Sequence, residues 1–163
     1  LRAGGERALA TAREKGWEGV IAKERGSVYE PGIRSRAWRK VKVRGESEFV
    51  IGGYTPPEGA RAEFGALLVG MFDGGHLRFV GKVGTGYTAE TLRDLGAKLR
   101  RIKTADPPFD PAPRIRDVTW TEPELVAQIA YQEWTSDGKL RQPAFLGLRS
   151  DKKPREVTWS RRE

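Results

Sequence analysis

Lys40 and Lys42 alternate with Arg39, Val41 and Val43 in the run WRKVKV. On a strand, that period of two puts both ammonium groups on one face, roughly 7 Å apart, a spacing suited to adjacent phosphates. Trp38 stands beside them, and Arg34, Arg36 and Arg39 add charge to the same stretch. A solvated strand face would carry the same residues, and the spacing alone does not separate the two readings. Glu18 opens EGVIAK at the mouth of a short apolar strand. A carboxylate there suits Mg²⁺, which keeps several waters and takes one or two carboxylates alongside substrate phosphates. On this hexapeptide alone, a surface glutamate is the stronger reading. Lys23 ends the element and can reach a phosphate or lie in solvent. Arg149, Asp151 and Lys152 form a third group, RSDK, after the apolar FLGL. The arginine offers a planar fork for bidentate phosphate contact, and the aspartate can orient it or a metal. An ordinary charged turn is the competing reading. Arg141, Lys153 and Arg155 extend the basic character of this end.

Other features read blandly. GKVGTG, from Gly81 to Gly86, lacks the Gly-Lys-Ser/Thr ending of a phosphate loop and reads as a strand end and turn, with Lys82 free to touch a DNA backbone. His76 falls at a hairpin tip, and Trp120, Tyr131 and Trp134 read as core aromatics. The absence of cysteine excludes disulfides, thiol catalysis and cysteine zinc sites, and a single histidine excludes a His-rich metal centre. No apolar run approaches the roughly 18 residues that span a bilayer, so a cytoplasmic protein is expected.

The net charge of +8 favours a polyanionic partner. Its distribution is more telling: residues 1–44 carry +7, residues 45–138 carry −4 and residues 139–163 carry +5. Two basic ends around an acidic middle suggest two phosphate-facing surfaces.

The elements that must position these groups follow from pattern. Gly4 to Lys15 reads as a helix, Val20–Ala22 and Trp38–Val43 as strands, with a turn-rich loop between them. Glu48–Tyr54, Gly65–Phe72 and Leu77–Val83 read as strands, the last two joined at Asp73-Gly74-Gly75-His76, where glycine supplies the positive φ of a tight turn. Thr88–Ile102 reads as a helix capped by Thr88, with Leu92, Leu95, Leu99 and Ile102 as its core stripe. Ala105–Arg114, with four prolines, reads as a linker or wrapping loop. Val118–Trp120, Leu125–Trp134 and Ala144–Leu148 complete the strands. Three strands, a helix and two strands is the order of an OB-fold barrel. The expected architecture is therefore mainly β: a five-stranded OB-fold with one inserted helix over residues 45–163, preceded by a small α+β unit over residues 1–44.

EGVIAK, WRKVKV and RQPAFLGLRSDKKP together resemble nucleotidyltransferase motifs IV, V and VI of ATP-dependent DNA ligases of the bacterial non-homologous end-joining type. EFVIGGYTPPEG, EFGALLVGMF, LRFVGKVGTG and VAQIAYQEWT are similar to the OB-domain strands of that group, so the resemblance covers most of the chain. It implies that residues 1–44 end an adenylation domain. It also implies that Glu18 is a Mg²⁺-associated carboxylate, and that Lys23, Lys40 and Lys42 contact ATP or the adenylate. Arg149, Asp151 and Lys152 would approach the β- and γ-phosphates during lysine adenylation and then swing away. Arg34, Arg36, Lys82 and Arg141 would meet DNA. The implied chemistry is lysine adenylation, AMP transfer to a DNA 5′-phosphate, and nick sealing by the 3′-hydroxyl. The implied partners are nicked or broken double-stranded DNA, ATP and AMP, with end-bridging proteins and fused polymerase or nuclease modules alongside, near the bacterial nucleoid and away from membranes.

The departure from that pattern is large: no Lys-x-Asp-Gly element occurs, so the nucleophilic lysine is missing from these 163 residues. Leu1 falls inside a helical pattern and is not Met, so the natural N-terminus is expected elsewhere. The chain alone is expected to be catalytically inert and to keep weak, salt-sensitive DNA affinity. An autonomous OB-type nucleic-acid binder and a capping-enzyme relative are the competing readings.

Overall fold

The structure, a computed structural model, describes residues 3–15, 17–28, 36–59 and 63–159. Arg34 lies outside the described residues. The chain divides into two compact units, Leu1–Arg44 and Gly45–Glu163.

In the first unit, helix α1 (Ala3–Glu14) precedes an antiparallel hairpin of β1 (Gly19–Lys23) and β2 (Trp38–Lys42). The register pairs Gly19 with Lys42, Ile21 with Lys40 and Lys23 with Trp38. Ala12 is fully buried, and its carbonyl accepts the Trp17 N–H at 2.8 Å, which turns the chain from the helix into the hairpin.

The second unit is the expected barrel. Strands β3 (Gly45–Tyr54), β4 (Leu67–Asp73), β5 (His76–Val83), β7 (Val126–Tyr131) and β10 (Ala144–Leu148) form one antiparallel sheet in the order β10-β7-β3-β4-β5. A short β6 (Thr119–Trp120) pairs with the end of β3. β3 is long enough to serve two sets of partners, with β7 along Gly45–Val50 and β4 along Val50–Tyr54. Extra residues in β3, β4/β5 and β10 bulge the sheet and coil it. The Phe145 N–H reaches the Thr85 carbonyl at 2.9 Å, tying β10 to the end of β5 and closing the barrel. At the β4–β5 turn, Gly74 and Gly75 have φ of 57° and 88°, the backbone that a two-residue hairpin demands. Helix α2 (Ala89–Arg101) is capped by Thr88, whose hydroxyl accepts the Thr91 N–H at 3.1 Å, and it buries Leu95 and Leu99.

Two points differ from the sequence pattern. Leu125–Trp134 is not one strand: β7 stops at Tyr131, and Glu133–Trp134 forms β8, which pairs with β9 (Leu140–Arg141) in a separate ribbon. The break occurs because the Gln132 N–H turns to the Arg141 carbonyl at 2.9 Å. The barrel sheet is also buried on both sides. Phe49, Ile51, Leu67 and Val69 point into the core with Leu95 and Leu99, while Val50, Leu68, Phe72 and Leu77 form a second cluster with Phe109. Of the two roles expected of it, the proline-rich segment takes the wrapping one, covering the outside of the barrel between α2 and β6. Gly52 and Gly70 make room for it, since a Cβ on either would lie 2.5 or 2.8 Å from the Phe109 ring.

Candidate functional site

The hairpin of the first unit gathers three of the candidate residues, Glu18, Lys40 and Lys42. The Lys40 Nζ lies 2.6 Å from Glu18 Oε1, and the Lys42 Nζ lies 3.7 Å from the same oxygen. The Val43 N–H reaches the Glu18 carbonyl at 3.0 Å, so the backbone extends the β1–β2 ladder by one step and sets Glu18 beside the lysine edge. The hydrogen bond from Lys40 and the charges of Lys40 and Lys42 hold the Glu18 carboxyl below its ordinary value. The cluster carries a net charge of one positive unit and is well exposed. Lys23 turns elsewhere: its Nζ sits 4.0 Å from the centroid of Trp38, its cross-strand partner. Arg36 is exposed just before β2.

A carboxylate flanked by two ammonium groups is a poor cation site on its own, and no group of three His, Asp or Glu suited to a metal occurs among the described residues. Phosphates would give the two lysines anionic partners of their own, and the Glu18 carboxylate would then be free to act as a single oxygen ligand to Mg²⁺.

In the second unit, Arg149 is the centre of a denser network. Its Nε and Nη2 donate to Asp151 Oδ1 and Oδ2 at 2.9 and 2.7 Å, a bidentate pair. Its Nη1 donates to Glu48 Oε1 and to Gln128 Oε1, both at 3.0 Å. Glu48 on β3 and Gln128 on β7 face each other directly in the register. The Arg149 N–H continues the sheet, reaching the Val126 carbonyl at 2.8 Å. After the Asp151 turn the chain is pinned again, because Phe72 of β4 exchanges backbone hydrogen bonds with Val157 and Trp159 at 2.8 and 2.7 Å. The turn bearing Asp151, Lys152 and Lys153 is therefore anchored at both ends.

Hydrogen bonding to Arg149 pulls the Asp151 carboxyl down to about 2 and raises the guanidinium further above its already high range. Because the folded value lies below the ordinary 3.8, this pair contributes stability in full above the ordinary carboxyl range and loses it as pH falls through about 2. Arg149→Ala is expected to raise the Asp151 carboxyl toward the ordinary range, read by carbon-13 titration, and an unchanged titration would remove the pairing.

Lys152 lines a groove of about 460 Å³ with Glu48, Trp134, Glu156 and Trp159. Arg155 lies over the Phe72 ring at 4.5 Å, toward the β4–β5 turn. Lys82 is exposed on β5 beside Gly81, where a Cβ would lie 3.4 Å from the Leu140 Cβ. Lys82 shares a cleft with Thr55, Glu58 and Gly65, whereas Arg141 on β9 is engaged by Glu133 at 2.8 Å, so the two expected DNA contacts are not brought together. Sequence reasoning missed Glu48 and Gln128. Both lie in stretches recognised as OB-domain strands, EFVIGGYTPPEG and VAQIAYQEWT, yet only the strand register brings them to Arg149.

Residues 60–152 match the family model described as ATP dependent DNA ligase C terminal region, and residues 5–42 match ATP dependent DNA ligase domain. The chain is 46% identical over 159 residues to the multifunctional non-homologous end joining protein LigD of Mycolicibacterium smegmatis, covering 95% of this chain and 21% of that protein. It is 41% identical to LigD of Pseudomonas aeruginosa, covering 94% and 19%. It therefore spans about a fifth of the length of these relatives. Among solved structures, the ligase domain of Mycobacterium tuberculosis LigD is 43% identical with a TM-score of 0.69, covering 96% of this chain and 52% of that one. A mycobacterial DNA ligase D complexed with ATP and MES is also 43% identical, with a TM-score of 0.65. With a ligase C-terminal match over more than half its length and a barrel that follows the LigD ligase domain, the chain belongs to the ATP-dependent DNA ligase family.

Proposed function

We propose that the chain supplies the phosphate-handling end of an adenylation domain (residues 1–44) and the OB-fold domain (residues 45–163) of an end-joining DNA ligase that seals strand breaks in bacterial double-strand break repair. The observation that carries this reading is the pairing of Lys40 and Lys42 around one carboxylate on the β1–β2 hairpin, in a chain of ligase ancestry. Two ammonium groups preset beside each other bind adjacent phosphate oxygens without first being brought together, which is where positioning contributes to phosphoryl transfer.

In this reading Lys40 and Lys42 hold the α-phosphate of ATP and of the adenylate, and Lys23 lies at the edge of the nucleotide site. Glu18 is the residue that would hold Mg²⁺, which when bound neutralises phosphate charge. Arg149 and Lys152 meet the outer phosphates, beside Asp151, which pairs with Arg149 before they bind. Arg34, Arg36, Lys82 and Arg141 contact the backbone of nicked or broken DNA. End-bridging proteins and fused polymerase or nuclease modules are the partners suggested by relatives about five times longer, and the bacterial cytoplasm, near the nucleoid, is the expected location. No helix among the described residues is long and apolar enough to cross a membrane.

The lysine that takes the AMP is not among these residues, so the isolated chain is expected to form no covalent adenylate with labelled ATP; a labelled band would overturn that expectation. Duplex DNA with a nick is expected to bind it weakly. If the basic residues carry that binding, affinity falls steeply between about 50 and 200 mM salt, since each neutralised phosphate releases counterions. A salt-independent affinity would favour an OB-type binder that reads bases by stacking.

A further inference from the structure

Arg149 has five N–H groups, and four hydrogen bonds occupy nearly all of them. The partners are of two kinds. Glu48 and Gln128 sit in mid-strand, cross-paired on β3 and β7, and Glu48 is only 29% exposed. Asp151 is 62% exposed and rides on the turn after β10. Both strand residues grip the same nitrogen, Nη1, whereas Asp151 takes the Nε/Nη2 edge, one of the two bidentate edges a phosphate would use. The other bidentate edge shares Nη1 and is blocked by the strand pair.

We propose that Glu48 and Gln128 are positioning residues that hold the Arg149 guanidinium in place by Nη1, and that Asp151 is an exchangeable partner occupying the seat that a phosphate takes. An incoming oxyanion then displaces one carboxylate from a guanidinium whose orientation is already set, instead of capturing a free arginine. The Asp151 carboxylate leaves for solvent, which its turn and exposure permit, while the strand pair stays. The idea takes from the ligase reading only the identity of the oxyanion, a nucleotide polyphosphate; the geometry of the seat does not depend on it.

The test uses this chain and inorganic tripolyphosphate, followed by the Arg149 Nε–H resonance at low salt. Asp151→Asn is expected to tighten binding about 5- to 10-fold, since it removes the competing carboxylate. Gln128→Ala leaves the net charge unchanged and is expected to weaken binding about 3- to 5-fold while the backbone spectrum and the thermal midpoint stay as in the parent. Glu156→Gln removes a nearby negative charge that makes no contact with Arg149, and is expected to change affinity less than about 2-fold. Equal gains from Asp151→Asn and Glu156→Gln would overturn the seat, because general charge would then explain both. Unaltered binding in Gln128→Ala would overturn the positioning role. A ligase reading that failed, for want of adenylation in the longer enzyme, would leave these three affinities where they are.

Discussion

Replacing Lys40 and Lys42 together by alanine, in a complete ligase that carries this hairpin, is expected to slow enzyme adenylation about 10²- to 10⁴-fold. Each lysine removed deletes one charge-assisted hydrogen bond to phosphate, about 1.5–3 kcal/mol when the site is closed to water. Each such loss is about one to two decades in rate if the contact is made in the transition state. The chain's stability is expected to change by less than about 0.5 kcal/mol, because the two side chains are 50% and 40% exposed and their ion pairs with Glu18 are at the surface. The double variant also leaves Glu18 without its cations, so the Glu18 carboxyl is expected to titrate nearer its ordinary value. Labelled ATP reads adenylation and a nicked duplex reads sealing. Kinetics like those of the parent, with the fold intact, would take both lysines out of the site.

Phe109→Ala is expected to give the largest loss of stability, about 3–5 kcal/mol, the usual cost of deleting a buried aromatic ring. Phe109 is 3% exposed and packs edge to face on Phe79 and Trp120, with ring centroids 5.5 and 6.1 Å away. It also anchors its segment to the barrel, since Leu77 accepts the Asp110 N–H at 2.9 Å. Removing the ring opens a void above Gly52 and Gly70, where no side chain exists to fill it. Those glycines cannot be refilled in the parent either: a Cβ at Gly70 would strike the Arg78 carbonyl as well as the ring. Urea unfolding of this chain, followed by tryptophan fluorescence, measures the change. A loss below about 1 kcal/mol would mean that the proline-rich segment is not part of the barrel's core.

The strands, the capped helix and the hairpin were legible because each depends on neighbours in sequence. The period of two in WRKVKV put Lys40 and Lys42 on one edge, the leucine stripe named the buried face of α2, and Thr88 terminated it. Strand ends were less legible. The break after Tyr131 depends on Arg141, nine residues further on, whose carbonyl claims the Gln132 N–H. For Ala105–Arg114 the pattern left linker and wrapping loop side by side. A run with four prolines carries no period, and nothing local says that Phe109 finds two glycines on strands β3 and β4.

The site divides in the same way. By itself the sequence put forward the residues that could bear chemistry, since residue type decides charge and donor geometry: Glu18, Lys40, Lys42, Arg149, Asp151 and Lys152 are the candidates its short motifs offer. Only the tertiary structure decided who holds them. Glu18 meets the lysines because the β1–β2 register brings it alongside their edge, and Arg149 is gripped by Glu48 and Gln128 because β3 and β7 align those two residues across 80 positions of chain. Charge is a property of a residue and can be read in order. A hydrogen bond between distant strands is a property of register, which the hydrophobic core sets only when the whole barrel closes.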